Sequence, residues 1–175
     1  MKQQTWFERI TFFAVVSSVA LSAACSRGAV EAPAPETKTA VPTNAEEAAP
    51  TGRITFNAAT ASSGPDSAAF VFDRDLQKAW NSGNFAPAWI QLDLGQPTTI
   101  STVRLFTAQT PPGPTKHEVL GGLTPDNLTS LGMLEGNTAD SQWLELQVKG
   151  QVRYVKVVTL KSPSWVGWRE IEVYR

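Results

Sequence analysis

The sequence predicts an all-β fold, an antiparallel β-sandwich over residues 53–175, and three observations predict it. Hydrophobicity repeats with a period of two, every such run is of strand length and bounded by Gly or Pro, and no long amphipathic helix interrupts them.

Taken in order, Ile90, Leu92 and Leu94 alternate with Gln91 and Asp93, and Gly95 and Pro97 close the run. Val103 and Leu105 alternate with Arg104 and Phe106, and the Pro-rich turn 111–114 follows. A strand beginning at His117 is expected to end at Gly121 and Gly122. The runs 143–148 and 152–158 alternate likewise, with Gly150 between them and Pro163 after them. Only 67–72 and 125–131 are expected to form short helical turns.

The 175 residues leave room for one such domain after a leader and a linker are subtracted. Lys2 and Arg9 precede a mostly apolar run, 10–21, too short to cross a bilayer, which takes about twenty residues. It ends in Leu21-Ser22-Ala23-Ala24-Cys25, which resembles the lipobox of bacterial lipoproteins. That resemblance implies a signal peptide, 1–24, cleaved before an acylated Cys25 that holds the protein in the bilayer of the cell envelope, the outer membrane being the expected one. Residues 25–52 are expected to be a disordered tether. Ala, Pro, Thr and Glu fill 19 of the 27 positions in 26–52, too little apolar surface to offset the entropy of ordering.

Charge and composition exclude several functions. Fifteen basic residues against sixteen acidic ones give a formal charge of -1, which disfavours nucleic acid as a partner. One Cys and one His cannot build a Cys/His zinc site. There is no Gly-x-Ser-x-Gly elbow, and the closely spaced acidic pairs Asp73/Asp75 and Glu170/Glu172 have structural roles to fill, so no enzyme activity is expected.

Residues 73–83, DRDLQKAWNSG, and 89–95, WIQLDLG, resemble the opening of a discoidin domain, also called the coagulation factor 5/8 type C domain. Its bacterial relatives include the family 32 carbohydrate-binding modules. Residues 153–157, RYVKV, and 162–174, SPSWVGWREIEVY, are similar to its last two strands, so the resemblance spans roughly 54–175. It implies an eight-stranded jelly roll, of the galactose-binding-domain type, whose ligand sits on loops at one end.

For the ligand, the resemblance points to a flat ring that packs against a sugar, with polar side chains reading its hydroxyls. Trp165, in a Ser-Pro-Ser-Trp turn, and Phe85, after Asn84, are the candidate rings; Asn84, His117, Arg104 and Arg169 are the candidate polar contacts. Trp80, Trp89, Trp143 and Trp168 are assigned to packing. No cofactor is required. The resemblance also suggests a structural calcium on Asp73, Asp75 and Glu170, with a Thr hydroxyl at the position of Lys78. An ammonium offers no lone pair, so the competing arrangement is an internal ion pair of Lys78 with Asp73 or Glu170. The expected partner is a glycan; a protein of the envelope, bound without any glycan, is the alternative.

Overall fold

The computed structural model describes residues 37–39 and 51–175; the leader, Cys25 and the rest of the tether lie outside the described residues. Strand β1 is Thr37–Thr39, within the expected tether, and pairs in parallel with Met133–Glu135. The other strands are β2 (Ala58–Ala61), β3 (Trp80–Asn81), β4 (Ala88–Thr107), β5 (Gly113–Thr124), β6 (Asn127–Thr138), β7 (Trp143–Lys161) and β8 (Gly167–Tyr174). They bond in the order β1-β6-β5-β7-β4-β8-β3, with β2 added on β4. All pairs but β1·β6 are antiparallel.

Two strands are much longer than the periodicity suggested, because glycines expected to end them bend them instead. β4 runs through Gly95 and Pro97 with a register break between Asp93 and Thr98. Gly95 has φ +82°, and an added Cβ would meet the Asn57 side chain at 2.4 Å, so only glycine fits this bulge. β7 passes likewise through Gly150, near a second register break between Ile100 and Thr102. Each strand therefore serves both layers of the sandwich. The first part of β4 pairs with β2 and β7, its second part with β7 and β8.

The alternation delivers its core positions: Ile90, Leu92, Leu94, Val103, Leu105, Leu144, Leu146, Val155 and Val157 are buried, together with Ile171 and Val173 of β8. Trp80 and Trp168 join them, whereas Trp89 and Trp143 are half-buried on outer faces. There the Lys156 ammonium lies over Trp89 at 3.9 Å, and Phe106 stacks on Trp143 at 4.7 Å. The helical expectation at 67–72 meets a 3₁₀ segment, Pro65–Phe72. The one at 125–131 is corrected. Thr124 pairs with Asn127 across a two-residue turn at Pro125-Asp126, and from Asn127 the chain is strand, because β5 offers a free edge to pair.

Candidate functional site

Four connections gather at one end of the sandwich: 82–87 between β3 and β4, 108–112 between β4 and β5, 139–142 between β6 and β7, and 162–166 between β7 and β8. With Asn81 and Arg169 from strands, they enclose an open pocket of about 460 Å³. Phe85 and Trp165 line it and are 61% and 53% exposed, the two most exposed large hydrophobic residues described.

The loops bearing the two rings are tied together by backbone. Ser82 N–H donates to Val166 O at 2.9 Å, and Val166 N–H donates to Asn84 O at 3.0 Å. Asn84 itself braces this turn: its amide Nδ2 donates to Ser82 O at 2.9 Å and to Ser63 Oγ at 3.3 Å. It therefore holds Phe85 in place rather than lining the pocket, a correction to its reading as a polar contact.

Arg169 does line the pocket, but its guanidinium is paired with Asp140. Nη2 donates to Asp140 Oδ1 and Oδ2 at 3.2 and 3.0 Å, and Nη1 points at Leu76 O and Gln77 O at 3.4 and 3.5 Å. Asp140 also accepts from Gln109 N–H and Ser141 Oγ–H, both at 3.1 Å. Burial favours the neutral acid, but the hydrogen bonds from Arg169 and Gln109 outweigh it and hold the Asp140 carboxyl below its ordinary value. Asp140, Gln109 and Thr110 carry no signal in the sequence because polar residues in turns have no periodicity, and Asn81 carries none because its strand is only two residues long.

His117 and Arg104 are corrected as ligand contacts. His117 is 3% exposed; its Nδ1 shares a hydrogen bond of 3.0 Å with Thr159 Oγ1, and its ring stands edge-on to Trp168. It lines a void of about 10 Å³ that shares Ala108, Gln109 and Trp165 with the pocket. Burial drives its pKa down to about 3, so it is a neutral core imidazole. The register explains this, since His117 shares parity with buried Val119. Arg104 lies on the sheet face, 3.4 Å from Glu172, 3.5 Å from Glu145 and over the Trp143 ring.

The calcium ligand set suggested by the resemblance does not fit the residues present. Lys78 Nζ lies 3.3 Å from Asp73 Oδ2 and 3.2 Å from Asp75 Oδ2, so an ammonium already occupies the space between both carboxylates. The hydrogen bond from Gln77 N–H and that from Lys78 lower the Asp75 pKa, and the aspartates raise that of Lys78. Glu170, 0% exposed, is claimed instead by Arg53, which also bonds Glu172 at 2.8 Å, and by Arg74 N–H at 3.3 Å. Among the described residues no three Asp, Glu, His or Cys side chains converge in a metal-holding group.

Comparisons with known proteins agree on this architecture. The model of the F5/8 type C domain matches residues 54–172. No curated protein matches the sequence. Among solved structures, the family 32 module of AlyQ in complex with 4,5-unsaturated mannuronic acid is similar, with 19% identity, a TM-score of 0.60, and coverage of 70% of this chain and 98% of that one. CpGH89CBM32-5 from Clostridium perfringens, in complex with GalNAc-β-1,3-galactose, gives 25% identity, a TM-score of 0.58, and coverage of 67% and 94%. A pectin-binding carbohydrate-binding module gives 20% identity, a TM-score of 0.59, and coverage of 69% and 91%.

Proposed function

We propose that this chain, which belongs to the F5/8 type C domain family, is a non-catalytic recognition module that binds carbohydrate in the pocket between Phe85 and Trp165. One observation carries the reading: two exposed aromatic rings, on loops zipped together through Val166, flank a concave surface that also presents Asn81 and Thr110. Aromatic faces exclude water from the C–H surface of a pyranose while neighbouring amides and hydroxyls read its hydroxyl groups. That several structural neighbours are titled as sugar-binding modules supports the same reading.

Catalysis has little to work with here. Among the described residues Asp140 is the single carboxylate lining the pocket, and glycoside hydrolysis ordinarily needs two. The lipobox-like sequence ending at Cys25 extends the proposal to location: an acyl anchor and a tether hold the module at the cell envelope, where it retains glycans near the surface.

The test is a glycan array probed with the purified chain and its Phe85→Ala and Trp165→Ala variants. Retention lost in both variants is the expected result. Unchanged retention by both would place the binding surface elsewhere, and no retention by the parent, together with a co-purifying envelope protein, would favour the adaptor alternative.

A further inference from the structure

We infer that the pocket is built for an uncharged sugar and rejects uronic acids and cationic amino sugars, because its one ion pair, Asp140–Arg169, is closed on itself. The inference rests on the carbohydrate reading of the pocket and names the chemical class that it takes.

Asp140 accepts Gln109 N–H on Oδ1 and Ser141 Oγ–H on Oδ2, and Arg169 Nη2 lies 3.2 and 3.0 Å from the two oxygens, shared between them, so the carboxylate and the guanidinium meet each other's charge in the pocket wall. On Arg169, the two N–H groups of Nη1 face the carbonyls of Leu76 and Gln77, and Nε is buried without a partner among the described residues. Each charge of the pocket thus already faces its opposite at hydrogen-bond distance.

What remains facing the pocket is neutral: the two rings, Asn81 and Thr110. The Thr110 hydroxyl and the Asn81 Nδ2 group have no hydrogen-bond partner among the described residues, while Asn81 Oδ1 accepts from Gly83 N–H at 2.8 Å. An amide and a hydroxyl match sugar hydroxyls. A uronate or an ammonium would instead lose its water against aromatic rings with no unpaired opposite charge to replace it, which is unfavourable.

The experiment uses calorimetry on the full chain with pairs that differ at one charged group: galactose against galacturonic acid, glucose against glucuronic acid, and N-acetylglucosamine against glucosamine. The neutral member of at least one pair is expected to bind, with its charged counterpart weaker by about tenfold or more, equivalent to about 1.4 kcal/mol. Its affinity should hold steady between low and high salt. Asp140→Asn strips Arg169 of its counter-charge and should raise uronate affinity; Arg169→Gln, which leaves the carboxylate instead, should not. Equal or tighter uronate binding by the parent, or a ratio unmoved by Asp140→Asn in a protein that melts normally, overturns the inference while leaving the carbohydrate reading intact. No binding by any member of any pair overturns both.

Discussion

Val166 donates its backbone N–H to the carbonyl of Asn84 at 3.0 Å, and this bond joins the loop of Phe85 to that of Trp165. The two rings are thereby presented as a fixed pair, so little ordering entropy remains to be lost on binding. Phe85→Ala and Trp165→Ala are each expected to weaken sugar binding by about 1 kcal/mol or more, roughly five- to tenfold. Both rings are more than half exposed, so thermal stability should stay within about 0.5 kcal/mol of the parent. Calorimetry and thermal melts on the same samples check both halves of the expectation.

A different relationship secures the last strand. Arg53, just ahead of the matched span 54–172, reaches across to Glu170 and Glu172 on β8, and Glu170 is fully buried. Burial raises the Glu170 pKa to about 7, against the pull of Arg53. Arg53→Met should cost up to about 1.4 kcal/mol more at pH 8 than at low pH, the most that keeping a carboxyl of pKa about 7 protonated at pH 8 can add. Without Arg53 the folded-state pKa rises further above the unfolded value, so the loss grows as pH climbs and is smaller at pH 5.5. Adding Glu170→Gln should recover most of it. Urea titrations at both pH values test this, and a loss equal at both would separate Arg53 from the ionisation of Glu170.

How much of this was legible in the sequence follows from what each residue depends on. Ile90, Leu92 and Leu94 declare their own face by parity, and Trp165 and Phe85 stand out because large rings beside Pro in turns have no periodic reason to be there. Parity also places His117 with Val119 in the core. Arg104 was not legible: its parity points outward, and its burial depends on Trp143, Glu145 and Glu172, which only folding brings over it. Nor could Gly95 be told from a strand end, since the same positive φ that stops a strand can bulge it when Asn57 packs alongside. Asp140 and Arg169 lie 29 residues apart, and nothing local announces their pairing.

The turn at Asp73 makes a sharp expectation about cations. Lys78 sits within 3.3 Å of both Asp73 and Asp75, and Asp75 Oδ1 and Asp73 Oδ1 are already accepting backbone N–H groups from Gln77 and Asp75. A divalent ion would have to displace the ammonium and open both turns. Melting temperatures with excess calcium and with chelator are therefore expected to coincide, since a ligand of the native state alone would raise the midpoint by mass action. Lys78→Thr removes the ammonium and adds a hydroxyl. If that variant gains a calcium-dependent rise that the parent lacks, the lysine is what fills the site; a rise in the parent itself would show that Lys78 turns away to admit metal.

His117 gives the pH dependence its sign. Its folded-state pKa lies at about 3, below the ordinary 6.5, because burial opposes the imidazolium. Below pH 6.5 the unfolded chain takes up a proton that the folded chain refuses, so His117 destabilises the fold progressively as pH falls toward 3, at about 1.4 kcal/mol per unit. Glu170 acts in the opposite sense. Its raised pKa removes stability as pH rises from 4.5 to about 7, so the two nearly offset each other between pH 4.5 and 6.5 in the parent. Comparison with a variant separates them, because Glu170 is common to both proteins. At pH 7, His117→Gln should cost about 1–3 kcal/mol for the lost edge contact with Trp168 and the poorer fit. At pH 5 that cost should shrink by about 2 kcal/mol, since glutamine has no proton to refuse. Denaturant unfolding of parent and variant at the two pH values measures the difference. A cost that stays constant would mean that His117 accepts its proton inside the fold, which its burial against Thr159 and Trp168 argues against.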